Sequence, residues 1–323
     1  MIKLGLIGYG YWGKNLARNF YNLDVLNSIF DTNKSALKLA KKNYPKINIF
    51  DDIKEFFNDE ISAVVISSPA KTHADLVKYS LNKGKHVFVE KPLCLNYEEG
   101  LELKKLANKN NLKLMVGHLL LYHPAFLSLK KIVDDGKIGR IRYMYSNRLS
   151  LGKLRKEENA LWSFAPHDIS MILALIGSEP IMVQASGGAY LSPNIADTTI
   201  TLLKFNSGIK AHVFVSWLHP YKDQKLIVVG EEGMIKFDDV QNNEKKLILY
   251  KHKAGWNEEV PLINKAEGLP IKYDRDIEPL KLECMSFLSW LERGKVPSSD
   301  VDEGLRVLKV LNNAEKSLLE EGF

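Results

Sequence analysis

The chain has 323 residues, 45% hydrophobic and 26% charged, close to the average of folded domains, which excludes intrinsic disorder and fibrous classes. That length exceeds one ordinary core, so two domains sharing a cleft are expected. The formal net charge of +6 comes mostly from dispersed Lys, with no Lys/Arg block or basic helix, so nucleic acid is not an expected partner.

An apolar run beginning at Ile2 leads into Gly8-Tyr9-Gly10-Tyr11-Trp12-Gly13, a strand feeding a glycine turn. Gly8 permits the tight turn, Gly10 lets backbone approach a pyrophosphate, and Gly13 allows the following helix, expected over 11–21, to pack closely on the strand. The N-terminal N–H groups of that helix carry partial positive charge and suit a phosphate. A second apolar segment ends in Asp31, and 31 − 13 = 18 residues is close to the roughly 20 expected for the ribose carboxylate. A carboxylate there accepts from a 2′-hydroxyl and repels a 2′-phosphate, which favours NAD over NADP.

The first 118 residues continue as alternating short apolar strands and amphipathic helices. Strands are expected over 2–8, 25–30, 47–50, 63–67, 86–89 and 112–117, with helices over 35–43, 72–82 and 97–110. Six strands in this order predict a doubly wound parallel sheet of Rossmann type, with ligand beyond the carboxyl ends of the strands. We therefore take 1–118 as an NAD-binding domain and 119–323 as a substrate-binding and oligomerisation domain.

After Pro124 the rhythm changes. A helix over 125–134, a strand over 141–149 and a helix over 166–176 precede strands over 181–190, 198–205, 209–217, 225–229, 234–238 and 246–250. Short turns between successive strands predict an α+β domain with a largely antiparallel sheet. One face of such a sheet is expected to stay open and to pair with a copy of itself, giving a dimer or tetramer. Helices over 277–293 and 301–320 close the chain.

Cys94 and Cys284 lie far apart, with no CxxC or Cys/His spacing, so neither a metal site nor a disulfide framework is expected. Met1 is followed at once by the first strand, leaving no room for a signal peptide, and no apolar run reaches a membrane-spanning length. A cytoplasmic protein without a membrane partner is the expectation.

Two segments carry candidate chemistry. Glu90-Lys91-Pro92 follows the fifth strand, and the residue before a proline is driven into extended geometry, so Lys91 projects from the strand end where cofactor and substrate meet. The Lys91-Pro92 bond is open to either isomer. Partial desolvation beside an oxidised nicotinamide favours a neutral amine, able to take a hydroxyl proton as hydride leaves the same carbon. In Trp162-Ser163-Phe164-Ala165-Pro166-His167-Asp168, Pro166 suits a first helical turn, placing His167 and Asp168 at a helix start. His167 can hydrogen-bond the reacting hydroxyl or fill an ordinary structural role, while Asp168 fixes its tautomer or caps the helix.

Over essentially its whole length the chain resembles the glucose/fructose oxidoreductase, inositol dehydrogenase and MocA family. The resemblance rests on the glycine turn, on Ser67-Ser68-Pro69 through Thr72-His73, on Glu90-Lys91-Pro92 and on His167. It implies that Lys91 and His167 are the catalytic pair. It also implies a cofactor site formed by Gly8, Gly10, Tyr11, Trp12, Gly13, Asp31, Ser67, Ser68, Pro69, Thr72, His73, Glu90, Lys91 and Trp162. Two departures stand out: Ser163 replaces an Asp that many members carry four residues before the histidine, and 118–124 lacks the Arg pair common after the sixth strand.

Within the family, the stretches VGHLLLYHPA, SNRLSLGKLR and WSFAPHDIS resemble the branch that acts on nucleotide sugars. That implies oxidation at C3 of UDP-N-acetylglucosamine or its uronic acid, yielding a 3-keto sugar for an aminotransferase in cell-surface polysaccharide or lipid A assembly. Lys91, Tyr122, Arg148, Arg155 and His167 are then the substrate-side residues, the two arginines because guanidinium pairs well with a diphosphate. A polyol or cyclitol dehydrogenase is the alternative, and a non-catalytic dinucleotide-binding sensor a third reading.

Overall fold

The first strand of the chain is short and wholly buried. A computed structural model describes residues 2–151, 154–156, 158–242 and 244–322. Strands β1 (Leu4–Ile7), β2 (Leu26–Phe30), β3 (Asn48–Phe50), β4 (Ala63–Ile66), β5 (His86–Glu90) and β6 (Leu114–Gly117) alternate with helices. These are α1 (Gly13–Asn22), α2 (Lys34–Asn43), α3 (Ile53–Asn58), α4 (His73–Asn82) and α5 (Tyr97–Lys109). The strands form one parallel sheet in the order β3-β2-β1-β4-β5-β6, the doubly wound arrangement, with its reversal of strand order between β1 and β4. β1 and β4 are buried along their whole length, which is why they read as continuous apolar runs. α3 was not expected from the sequence; Asp52 caps it by accepting the N–H groups of Lys54 and Glu55.

The second half opens with α6 (Pro124–Asp134), β7 (Ile141–Leu151) and α7 (Ala160–Ile176). Strands β8 (Pro180–Gly188), β9 (Thr198–Phe205), β10 (Lys210–Ser216), β11 (Leu218–Gly230), β12 (Met234–Asp238) and β13 (Leu247–Tyr250) follow. After them come the hairpin β14 (Lys253–Asn257) and β15 (Val260–Asn264), the short β16 (Gly268–Pro270), and helices α8 (Pro279–Arg293) and α9 (Val301–Glu321). The large sheet has the order β16-β13-β12-β11-β7-β10-β9-β8. Its pairings are antiparallel except β7 with β10. α7 packs against β7, β9 and β10. Along β9 buried and exposed residues alternate, leaving Ile200 and Leu202 exposed on the other face. β11 runs seven residues earlier than expected, because its pairing with β7 shifts register between Leu218 and Asp223 and the apolar alternation is lost there. The β14–β15 hairpin is exposed throughout and offered no buried pattern to read.

The chain divides into two compact units, residues 1–119 with 279–308 and residues 120–278 with 309–323. The expectation of one body over 119–323 therefore needs correction over 279–308. The cause is packing: Phe287 of α8 lies edge-on to Phe88 of β5 at 5.7 Å, and Gly304 of α9 sits against Val116 of β6. Aromatic and apolar burial against the parallel sheet outweighs chain continuity.

Candidate active site

The glycine turn has three different jobs. Gly8 adopts φ +94°, a left-handed conformation that side chains resist, and its N–H donates to the Phe30 carbonyl at 2.9 Å. At Gly13 a Cβ would lie 2.0 Å from the Gly8 carbonyl oxygen, so only glycine lets α1 start this close to β1. At Gly10 a Cβ would meet nothing within 4 Å, leaving open space beside exposed backbone. The N-cap residue of α1, Trp12, makes no side-chain cap bond. Open space at Gly10 facing an uncapped helix start is what a pyrophosphate needs. Asp31 stands at the end of β2, where its Oδ2 accepts the Tyr9 N–H at 2.6 Å and its Oδ1 the Asn33 N–H at 2.7 Å. Those bonds fix a half-exposed carboxylate at the end of β2, where the sequence reading expects a ribose contact. These residues fit an NAD dinucleotide; Tyr11, 90% exposed, flanks them.

The ends of β4 and β5 complete this half. Ser67 Oγ donates to the Gly8 carbonyl at 2.7 Å and so pins the turn. Thr72 Oγ1 donates to the Pro69 carbonyl at 2.8 Å and lies 2.7 Å from Ser68 Oγ. His73 is buried, with Nδ1 at 2.7 Å from the Pro92 carbonyl and Nε2 at 2.9 Å from the Ser68 carbonyl. Burial lowers its pKa, opposed by the two carbonyls. The ring ties the segments that follow β4 and β5 together. The Lys91-Pro92 bond is cis. Glu90 accepts the indole N–H of Trp12 on Oε1 and, on Oε2, the Lys91 backbone N–H at 3.3 Å. It thus joins the glycine turn to the segment that carries Lys91.

Behind Glu90 lies a polar set that the sequence reading missed. Glu90 pairs in register with Gly117, whose absent Cβ would sit 3.0 Å from the Glu90 carboxyl carbon. The next residue, His118, is buried, and its Nδ1 contacts Glu303 Oε2. Glu283 of α8 is fully buried, and neither of its oxygens has a hydrogen-bond partner among the described residues. Burial, with Glu90 and Glu303 adding repulsion, holds its carboxyl well above the usual glutamate range. A signal was present: Glu283 falls on the buried face of α8 defined by Leu280, Cys284, Phe287 and Leu288. Among the described residues no group of three or more His, Cys, Asp or Glu is arranged to hold a metal ion.

The other candidate residues belong to the second unit and require several corrections. α7 starts at Ala160, six residues before the expected start, because Asn159 caps it by accepting the Trp162 N–H at 3.1 Å. Pro166 therefore lies inside the helix, and His167 and Asp168 are in its middle. Asp168 neither caps the helix nor orients His167. Fully buried, it accepts Ser146 Oγ, Arg148 Nε at 2.6 Å and Arg148 Nη2 at 3.2 Å. Arg148 is accordingly committed to a buried bidentate pair and is not free for a diphosphate. Trp162 is also committed: its indole N–H donates to Glu315 at 3.2 Å, within the same unit. Tyr122 and Ser163 are buried, while His167 keeps partial exposure. Arg155 is exposed and paired with Glu158 at 2.7 Å.

Residues 2–118 match the model of an oxidoreductase family with an NAD-binding Rossmann fold, and residues 126–236 match the GFO/IDH/MocA C-terminal domain. The chain belongs to the GFO/IDH/MocA oxidoreductase family. As a member it is an NAD-dependent oxidoreductase whose NAD-binding Rossmann fold spans residues 2–118. Its GFO/IDH/MocA relatives include the inositol 2-dehydrogenase of Rhizobium meliloti, 26% identical over 99% of this chain and 98% of its own. The UDP-N-acetylglucosamine 3-dehydrogenase of Acidithiobacillus ferrooxidans is 26% identical over 95% of this chain and 94% of its own. A crystal form of that enzyme superposes with TM-score 0.86 at 24% identity, covering 98% and 97% of the two chains. The scyllo-inositol dehydrogenase of Lactobacillus casei, solved with NAD(H) and scyllo-inositol, superposes with TM-score 0.81 at 21% identity, covering 99% and 98%.

Proposed function

We propose that this protein is an NAD-dependent dehydrogenase that oxidises the C3 hydroxyl of a UDP-linked N-acetylated hexose, UDP-N-acetylglucosamine or its uronic acid, to a 3-keto sugar. The observation that carries the chemistry is Lys91, presented from the carboxyl end of β5 in the unit that holds the glycine turn. Lys91 takes the hydroxyl proton and His167 hydrogen-bonds the same oxygen. Bound NAD supplies the hydride acceptor. Likeness to the Acidithiobacillus enzyme supports the substrate class. With Arg148 paired internally, a diphosphate contact from the arginines of this region falls to Arg155.

The polyol reading has its own support, since the Rhizobium inositol dehydrogenase is as similar in sequence and the arginine support for a diphosphate is halved. NADH formation from UDP-N-acetylglucosamine, its uronic acid, myo-inositol and free glucose separates the two. Turnover with a nucleotide sugar at least tenfold above the free polyols supports the first reading; turnover confined to polyols overturns it. The open sheet face bearing Ile200, Leu202 and the stacked Tyr145–His212 pair further suggests a homo-oligomer. Light scattering checks this, and a monomer at assay concentration would contradict it.

A further inference from the structure

We propose that the β14–β15 hairpin is an interface between copies of this chain, two hairpins packing face to face and antiparallel about a two-fold axis. This contact is separate from the open face of the large sheet and independent of the dehydrogenase activity. The two strands form a sheet of their own, and every residue from Lys253 to Asn264 is exposed. A two-stranded hairpin is marginally stable in water unless a face is covered. Residues opposite one another in the register share a face, so Ala254 with Ile263 and Trp256 with Pro261 make one side wholly apolar. Trp256 is 72% exposed and Ile263 69%. A large exposed aromatic among aliphatic neighbours is the composition of an interface centre. A strand proline turns its missing N–H side outward, which makes β15 a poor template for edge-to-edge addition and leaves the face as the surface on offer.

Charge says what covers it. Glu258 and Glu259 form the tip of the hairpin, while Lys251, Lys253 and Lys265 stand at its base, all of them exposed. Lys253 is shared with the equally exposed Glu232 at 3.9 Å. A hairpin acidic at one end and basic at the other is self-complementary when a second copy runs the opposite way. Each pair of tip carboxylates then meets the lysines of the other copy, and Trp256 packs on the apolar face opposite. Parallel packing would set carboxylates against carboxylates. A two-fold contact satisfies both ends at once, with the exposed charges fixing direction and the apolar face supplying most of the affinity. Two five-residue strands offer less than the roughly 800 Å² per partner of a standard interface, so the contact opens on dilution.

The test is molar mass by light scattering over a dilution series of the full chain. One variant reverses the tip, Glu258→Lys with Glu259→Lys; a second reverses the base, Lys251→Glu with Lys253→Glu and Lys265→Glu. Each alone should show half the wild-type mass, dimer falling to monomer or, where the sheet face also pairs, tetramer to dimer. Mixed in equal amounts they should recover the wild-type mass, because lysine tips then meet glutamate bases and glutamate tips meet lysine bases. Trp256→Ser, with the charges intact, should raise the dissociation constant roughly tenfold or more. All these positions are exposed, so melting temperatures should stay near wild type. A monomeric wild type overturns the proposal, as does either reversed chain alone at wild-type mass. A mixture that stays at half mass also overturns it, since the hairpin would then dock on a surface other than its own copy.

Discussion

Arg148 of β7 and Asp168 of α7 form a buried two-point ion pair, Nε to Oδ2 at 2.6 Å and Nη2 to Oδ1 at 3.2 Å, joining the large sheet to the helix that carries His167. Ser146 adds a third donor to the same carboxylate. Removing the cation leaves a buried, partly unpaired carboxylate. Arg148→Ala should therefore cost about 3–5 kcal/mol of stability, and Arg148→Lys should recover little because it cannot bond twice. Thermal melting checks this. A variant of wild-type stability with a raised KM for a nucleotide sugar would return Arg148 to the substrate.

Gly10 and Gly13 should separate binding from folding. A methyl at Gly10 has room in the protein but occupies the approach of the pyrophosphate, so Gly10→Ala should keep its melting temperature and lose NAD affinity. Gly13→Ala forces the Gly8 carbonyl aside and should cost about 1–3 kcal/mol, with binding falling as well. Calorimetry with and without NAD distinguishes them. Equal stability losses would refute the assignment of Gly10 to the phosphate.

Asp31 sets the cofactor choice. Its carboxylate is already fixed by the Tyr9 and Asn33 N–H groups, so it is preorganised for a ribose hydroxyl. Asp31→Asn should weaken NAD by about tenfold, the worth of one charged hydrogen bond, and narrow the preference over NADP. The ratio of kcat/KM for the two cofactors is the measurement. An unchanged ratio would remove Asp31 from this role.

Glu283 predicts a pH dependence of stability. Its pKa is raised on folding, chiefly by burial and then by Glu90 and Glu303, so between the ordinary glutamate value and the folded value the native state binds more protons than the unfolded chain. The stability that this group contributes is full below the ordinary value and is lost as pH rises through the folded one. Glu283→Gln lacks this dependence, so it should melt above wild type in mildly alkaline buffer, with the gap closing as pH falls toward the glutamate range. A gap that widens on acidification would contradict the neutral assignment.

The parallel sheet was legible because its strands are apolar runs set off by turns, and the glycine turn declares its geometry through Gly8 and Gly13, whose backbone angle and close contact favour glycine. The boundaries of β9 and β12 agree with the sequence reading because β9 alternates throughout and β12 alternates up to its last residue. The start of α7 was misread because Pro166 looks like a first-turn residue, whereas the deciding cap is Asn159, an ordinary asparagine in sequence. Arg148 and Asp168 are twenty residues apart, and nothing local in either announces the other. The assignment of 279–308 to the first unit depends on Phe287 meeting Phe88, a contact across some two hundred residues of chain that periodicity cannot register.

The most direct measurement is the turnover of Lys91→Ala with NAD and the preferred sugar, beside its NAD dissociation constant. The proposed base predicts a loss of roughly a hundredfold or more in kcat with cofactor affinity nearly unchanged. Wild-type turnover in this variant would contradict the account.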